Sequence, residues 1–276
     1  MSRPGPILVA DRFPKLRLSL IEVLSSLSNE EWASPTVAPR WSVKDIGLHL
    51  LGGDLGILSR PRDGFNASDQ PIRHQDDLVA LVNRLNDEWI TAARRLSPRV
   101  LCELLAFTGP LVEAYFASLD PFAIGQPVSW AGPEPAPVWF DIAREFTERW
   151  HHQQQIRDAA GRPALYDPYF LAPVLDTFVR ALPYSFRDTA AAAGTLIKIQ
   201  ISGEAGGSWF LHRQSPGWEL LLEAGTSPAT TILITQDYVW RLFTKGIDGE
   251  HARSKSTITG DARLALPLFT TVAVIA

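Results

Sequence analysis

Glu148 and His152 stand four residues apart in the run Glu148-Arg-Trp-His-His152. On a helix that spacing puts both side chains on one face, about one turn apart, where a carboxylate oxygen and an imidazole nitrogen can reach a common point. Such a pair can share a metal ion, with a third ligand from another element. Of the six histidines, His74 precedes or opens a helix, His212 and His251 fall in the C-terminal half, and His151 is rotated about 100° from His152. His49 lies inside another long helical pattern, and its neighbours Ile46 and Gly53 place it near the apolar edge, where an unpaired imidazole is costly to bury. Two histidines and one carboxylate would leave coordination positions open, as catalytic sites do. Zinc suits tetrahedral nitrogen and oxygen ligation, and iron(II), nickel and manganese accept such a set too. Spacing by itself favours a plainer reading. Asp141, Glu145, Glu148, His152 and Gln155 fall roughly opposite Trp139, Ile142 and Phe146, as on a solvated salt-bridging face, and His49 alone fits a satisfied core histidine.

The elements that would position these residues are helices of bundle length separated by Pro-, Gly- and Asp-rich loops. A helical-period stripe from Leu16 to Leu27 predicts a first helix over residues 13–27, followed by a cap-and-turn at 28–31. The second helix starts after Trp41, where Ser42 can cap and Asp45 sits three residues later at the positive end of the dipole, and Pro61 ends it. A polar loop over 64–73, helices over 74–95 and 98–119, and a proline-rich loop over 120–137 follow. The last bundle helix spans 138–160 and stops at Gly161-Arg-Pro163. Residues 166–188 predict one more helix, interrupted at Pro183, before an alanine-rich linker. The period then changes to two: Ile197, Ile199 and Ile201 alternate with Lys198 and Gln200, as in a half-buried strand. Further strands are expected around 209–211, 218–222, 230–235 and 256–259, with a helix over 237–245 and a helical C-terminus. The domain bounds expected from this pattern are 1–163, 164–194 and 195–276.

Two runs carry a resemblance. Trp41-Ser-Val-Lys-Asp-Ile-Gly-Leu-His49-Leu is similar to the second-helix signature of the DinB-like metal-binding bundles, and Glu148-Arg-Trp-His-His152 through Pro163 resembles the late-helix signature of the mycothiol-dependent maleylpyruvate isomerase family. The resemblance implies an antiparallel four-helix bundle followed by a smaller α+β domain of sterol-carrier type, with residues 197–234, Tyr238-Val-Trp-Arg-Leu-Phe and Thr259-Gly-Asp261 matching the latter. It assigns His49, Glu148 and His152 as the ligands of a divalent metal, zinc in the family. It also implies a low-molecular-weight thiol, mycothiol or similar, bound as thiolate for isomerase or S-transferase chemistry on a small electrophile. Many relatives have an aspartate where this chain has Gln155, which separates any role of that aspartate from this protein.

Composition sets the remaining bounds. An apolar share of 46% and a charged share of 20% are those of a globular domain, and a formal net charge of -4 argues against nucleic acid as a partner. Charged residues at Asp11, Arg12 and Lys15 speak against a signal peptide, and the C-terminal apolar stretch is too short to span a bilayer, so a soluble, cytoplasmic protein without a membrane partner is expected. Cys102, the only cysteine, rules out an intrachain disulfide and is expected to be buried and inert. Arg144, Arg149 and Arg157 fit surface roles, and His151 fits either a surface role or one supporting the ligands from behind. A reading of another class is a non-catalytic protein holding an apolar ligand between Trp209, Phe210, Trp218, Trp240 and Phe243, which also suit a plain core.

Overall fold

The computed structural model describes residues 2–65 and 74–274. Most of the loop expected over 64–73 lies outside the described residues. The chain divides into two compact units that interleave along it. A bundle unit holds Leu8–Pro121 and Glu145–Leu165, and a sheet unit holds residues 2–7, Phe122–Arg144 and Tyr166–Val274. The bounds expected from sequence run in chain order, whereas residues 122–144 group with the C-terminal part.

In the bundle unit the helices are α1 (Phe13–Ser25), α2 (Asn29–Ala33), α3 (Val43–Ile57), α4 (Gln75–Ala93), α5 (Pro98–Ser118) and the greater part of α6 (Val138–Ala159). The expected cap-and-turn at 28–31 is a full short helix, because Ser28 and Glu31 close a capping box in which Ser28 Oγ accepts the Glu31 N–H and Glu31 accepts the Ser28 N–H. The start of α3 is fixed the same way. Ser42 Oγ accepts the Asp45 N–H at 3.3 Å and Asp45 Oδ2 accepts the Ser42 N–H at 3.1 Å. Beyond Ile57 the chain widens into a π turn over Leu58–Arg62 that contains Pro61.

Packing of α3 against α4 and α5, and of α1 against α5, buries Leu24, Ile46, Leu51, Leu101, Leu105 and Ile156 in one core. Each such side chain contributes roughly 1.5–3 kcal/mol when fully buried. Gly52 permits the close approach of α4: a Cβ there would meet the Trp89 ring at 2.6 Å, and Trp89 Nε1 donates to the Leu48 carbonyl at 2.7 Å. The helix α5 is long and apolar enough to cross a membrane, but its inner stripe Leu101, Leu105, Val112 and Phe116 is buried in the bundle. Cys102 is half-buried beside this core, and burial pushes its thiol up, away from the reactive thiolate. Gly161, with a φ of 63°, ends α6 as expected.

In the sheet unit, β1 (Leu196–Ser202), β2 (Gly207–Arg213), β3 (Trp218–Leu221), β4 (Thr230–Thr235) and β5 (Thr257–Gly260) form a mixed sheet in the order β3-β2-β1-β4-β5. β1 runs parallel to β4 and the other pairs are antiparallel. The isoleucines of β1 are buried and pair with β4 through Ile199 opposite Ile232 and Ile201 opposite Ile234. The helix expected over 166–188 is α7 (Pro168–Phe178), a 3-10 turn and α8 (Leu182–Ser185), with Pro183 opening the last piece rather than breaking it. Then come α9 (Gln236–Phe243) and α10 (Gly249–Ser254). The C-terminal helix is instead a 3-10 segment, Ala262–Thr270, containing Pro267, which lacks the N–H an α-helix would use there. Trp209, Trp218, Trp240 and Phe243 are buried core, with the Trp240 indole donating to Tyr166 Oη at 2.9 Å.

Candidate metal centre

α3 and α6 bring His49, Glu148 and His152 together, with one potential ligand atom from each lying within 4.8 Å of the others. Both imidazole Nε2 atoms sit 3.0 Å from the same oxygen, Glu148 Oε1. Two ligands each about 2.0–2.1 Å from a tetrahedral zinc stand about 3.3 Å apart, so the spacing is that of a coordination shell drawn slightly inward. The side chains of His49 and His152 are 14% and 9% exposed, whereas Glu148 keeps 30%, which leaves the centre approachable from the carboxylate side.

The partners of the ring nitrogens narrow the fit. His152 Nδ1–H donates to Gln155 Oε1 at 2.8 Å, so the only hydrogen its Nε2 could carry is the second one of an imidazolium. Without that proton, a nitrogen lone pair and a carboxylate oxygen face each other, an arrangement that needs a cation. A metal ion satisfies it while leaving the ring neutral. His49 Nδ1 is buried and has no partner at hydrogen-bonding geometry among the described residues, and Nε2 faces Glu148. Burial, followed by the nearby His152, lowers the pKa of His49 and keeps its lone pair available, against the pull of Glu148 and Asn86. Burial works against ionisation of Glu148, but the neighbouring His152 and His151 and the close approach of the His152 and His49 rings hold its carboxyl well below the usual range. The donor set is one carboxylate and two imidazoles, as a divalent ion of borderline character requires.

The surroundings differ from a solvated face. Glu145, His152 and Gln155 are all covered, because α6 lies inside the bundle. Of the two places open to His151, the structure shows the inner one: its Nδ1–H donates to the Thr147 carbonyl at 3.0 Å and its ring centroid lies 3.9 Å from that of His152. Burial, then His152, lowers its pKa to about 3, so it remains a neutral ring beside the centre. Trp41 stacks on His49 with ring centroids 4.8 Å apart. Arg149 is not a surface arginine either. It pairs with Glu145 on its own helix at 2.5 Å and with Asp54 of α3 at 2.8 Å, and Thr108 of α5 donates to Asp54 at 2.8 Å. This buried network fixes α6 against α3, the two helices that carry the ligands. Sequence spacing gave no signal for it, since Asp54 and Arg149 are remote in the chain. Arg144 is largely covered and pairs with Asp141, and Arg157 reaches Ser19 Oγ and the Pro163 carbonyl.

The profile of the mycothiol maleylpyruvate isomerase N-terminal domain matches residues 14–157, just over half of the chain. Two uncharacterized proteins of Mycobacterium tuberculosis, MT0041 and Rv0036c, are each 25% identical over 213 residues, covering 76% of this chain and 77% of theirs. Among solved structures, a histidine-to-alanine mutant of the mycothiol-dependent maleylpyruvate isomerase superposes with a TM-score of 0.55 at 11% identity, covering 91% of both chains. A second structure of that isomerase gives 0.52 at 11% identity over 84% of this chain and 86% of its own. These structures share the fold, a helical N-terminal half followed by a small mixed sheet.

Proposed function

The chain belongs to the mycothiol maleylpyruvate isomerase family, and from that premise we propose a divalent-metal-dependent enzyme that activates a low-molecular-weight thiol for attack on a small electrophile, which is then isomerised or keeps the thiol. His49, Glu148 and His152 are the metal ligands in this reading, and zinc suits their donor set. The observation that carries it is the convergence of two imidazole Nε2 atoms on one carboxylate oxygen, with His152 Nδ1–H already committed to Gln155. A divalent metal held there supplies the Lewis acidity that makes a coordinated thiol a thiolate near neutral pH.

The residues of the chain then orient and shield. Trp41 covers the His49 ring, His151 backs that of His152 as a neutral aromatic surface, and the exposed edge of Glu148 marks the side from which thiol and electrophile enter. Thiolate addition to an activated double bond followed by rotation and expulsion of the same thiolate gives cis–trans isomerisation. Protonation of the resulting enolate, with the new C–S bond retained, gives the transferase outcome. Mycothiol and maleylpyruvate, the compounds in the family's name, are the first thiol and acceptor to test. Wild-type protein is expected to carry one equivalent of metal by elemental analysis and to consume a cis-enoyl acceptor only when thiol is present. His49→Ala should lose both, and a His49→Ala protein that keeps its metal and its thiol-dependent turnover would overturn the assignment.

A further inference from the structure

We infer that Gln155 is the positioning residue of this centre: its side-chain carbonyl fixes His152 as the Nδ1–H tautomer, with the Nε2 lone pair aimed at the metal, and does so without adding charge. The inference rests on the reading of His49, Glu148 and His152 as metal ligands. Gln155 lies three residues after His152, so the two side chains rise from one face of α6, and the bond from Nδ1–H to Oε1 is 2.8 Å. Both residues are buried, so water does not compete as acceptor. The other polar side chains of this stretch are engaged elsewhere. Gln154 accepts the Leu165 N–H and donates to Asp158, Gln153 donates to Ser19, and His151 donates to the Thr147 carbonyl. Of three consecutive buried glutamines, Gln155 is the one whose amide meets a ligand.

The neutrality of the amide has a consequence. Two neutral imidazoles and one carboxylate leave a divalent ion with one formal positive charge. A carboxylate at position 155 would cancel that charge at close range, whereas an amide leaves it to be met by an incoming anion such as a thiolate. Gln155 thus trades the tighter grip of a carboxylate–histidine pair for a more electrophilic centre.

The test uses the full-length protein and zinc. Gln155→Leu removes the acceptor and is expected to weaken Zn2+ binding 10–100-fold, measured without thiol by competition with a chromogenic chelator. Gln155→Glu keeps the shape, restores an acceptor and should bind Zn2+ at least as tightly as wild type, while the zinc-loaded variant binds 2-mercaptoethanol about tenfold more weakly at fixed pH. In zinc-loaded wild-type protein, 15N NMR should find the His152 hydrogen on Nδ1. The inference falls if Gln155→Leu binds zinc within twofold of wild type, if Gln155→Glu weakens zinc as much as Leu does, or if the hydrogen resides on Nε2. Should the Leu variant fail to fold, the Glu variant and the tautomer decide. A wild-type chain that takes up no metal overturns the ligand assignment itself and this inference with it.

Discussion

Arg149 follows a proposed metal ligand in the chain, and its guanidinium is enclosed by Asp54, Glu145 and the rings of Phe13 and Phe116. Burial works against its charge, but the two carboxylates hold its pKa above the ordinary value, so it stays cationic. Removing one partner from a buried ion pair leaves the other charge uncompensated. Arg149→Met is therefore expected to lower the unfolding free energy by about 3–5 kcal/mol, and Arg149→Met with Asp54→Leu to recover part of that loss, both read from urea unfolding. At this scale the sequence was legible where chemistry is local. The spacing of Glu148 and His152 put both on one helical face, and the run after Trp41 led to His49. Arg149 was read as exposed, and the surface was one of two places open to His151, because charged and polar side chains mostly lie there. Their burial depends on what lies opposite, and Asp54 and Thr108 come from helices whose distance cannot be inferred from positions along α6.

The entry of α3 shows what an element contributes to the site. Asp45 closes the capping box with Ser42 and pairs with Arg94 at 2.9 Å, one turn before His49. Burial raises the Asp45 pKa, but the hydrogen bonds from Arg94 and Ser42 outweigh it and leave the value below the ordinary 3.8. A carboxyl depressed in the folded state contributes stability that is present above its unfolded pKa and is lost as pH falls through the folded one. Asp45→Asn should cost about 1 kcal/mol at pH 7. That difference should shrink towards zero in acid below the folded-state pKa. Chemical denaturation of both proteins across pH 2–7 checks this, and a penalty that stays constant in acid would assign the loss to packing instead. The capping signal of Ser42 with Asp45 is written within a few residues, as is the alternation of Ile197, Ile199 and Ile201, so these elements were readable, whereas the cap at Ser28 was seen without the short helix it opens. The 3-10 form of Ala262–Thr270 and the π turn after Ile57 were not, because they record how a helix end adapts to its surroundings.

At the scale of the whole molecule, the chain returns to its C-terminal unit before the bundle is finished. Residues 122–144 follow α5 in sequence and lead into the metal-binding part of α6, yet they group with the sheet unit. Within that unit Val128 and Trp130 are buried, Trp139 carries the Arg180 guanidinium 5.7 Å from its ring centroid, and a Cβ on Gly132 would lie 3.8 Å from Tyr184. Such an excursion is invisible to periodicity, because the proline-rich loop looks the same whichever unit receives it. It changes what a truncation does. A chain cut at residue 163 keeps every ligand of the proposed centre but removes Arg180 and Tyr184, which lie against Trp139 and Gly132. The fragment 1–163 is expected to retain helical circular dichroism and to be cleaved by chymotrypsin within 122–144 at sites that the full chain protects. Equal protection of that stretch in fragment and full chain would show that the first half folds as a self-contained unit.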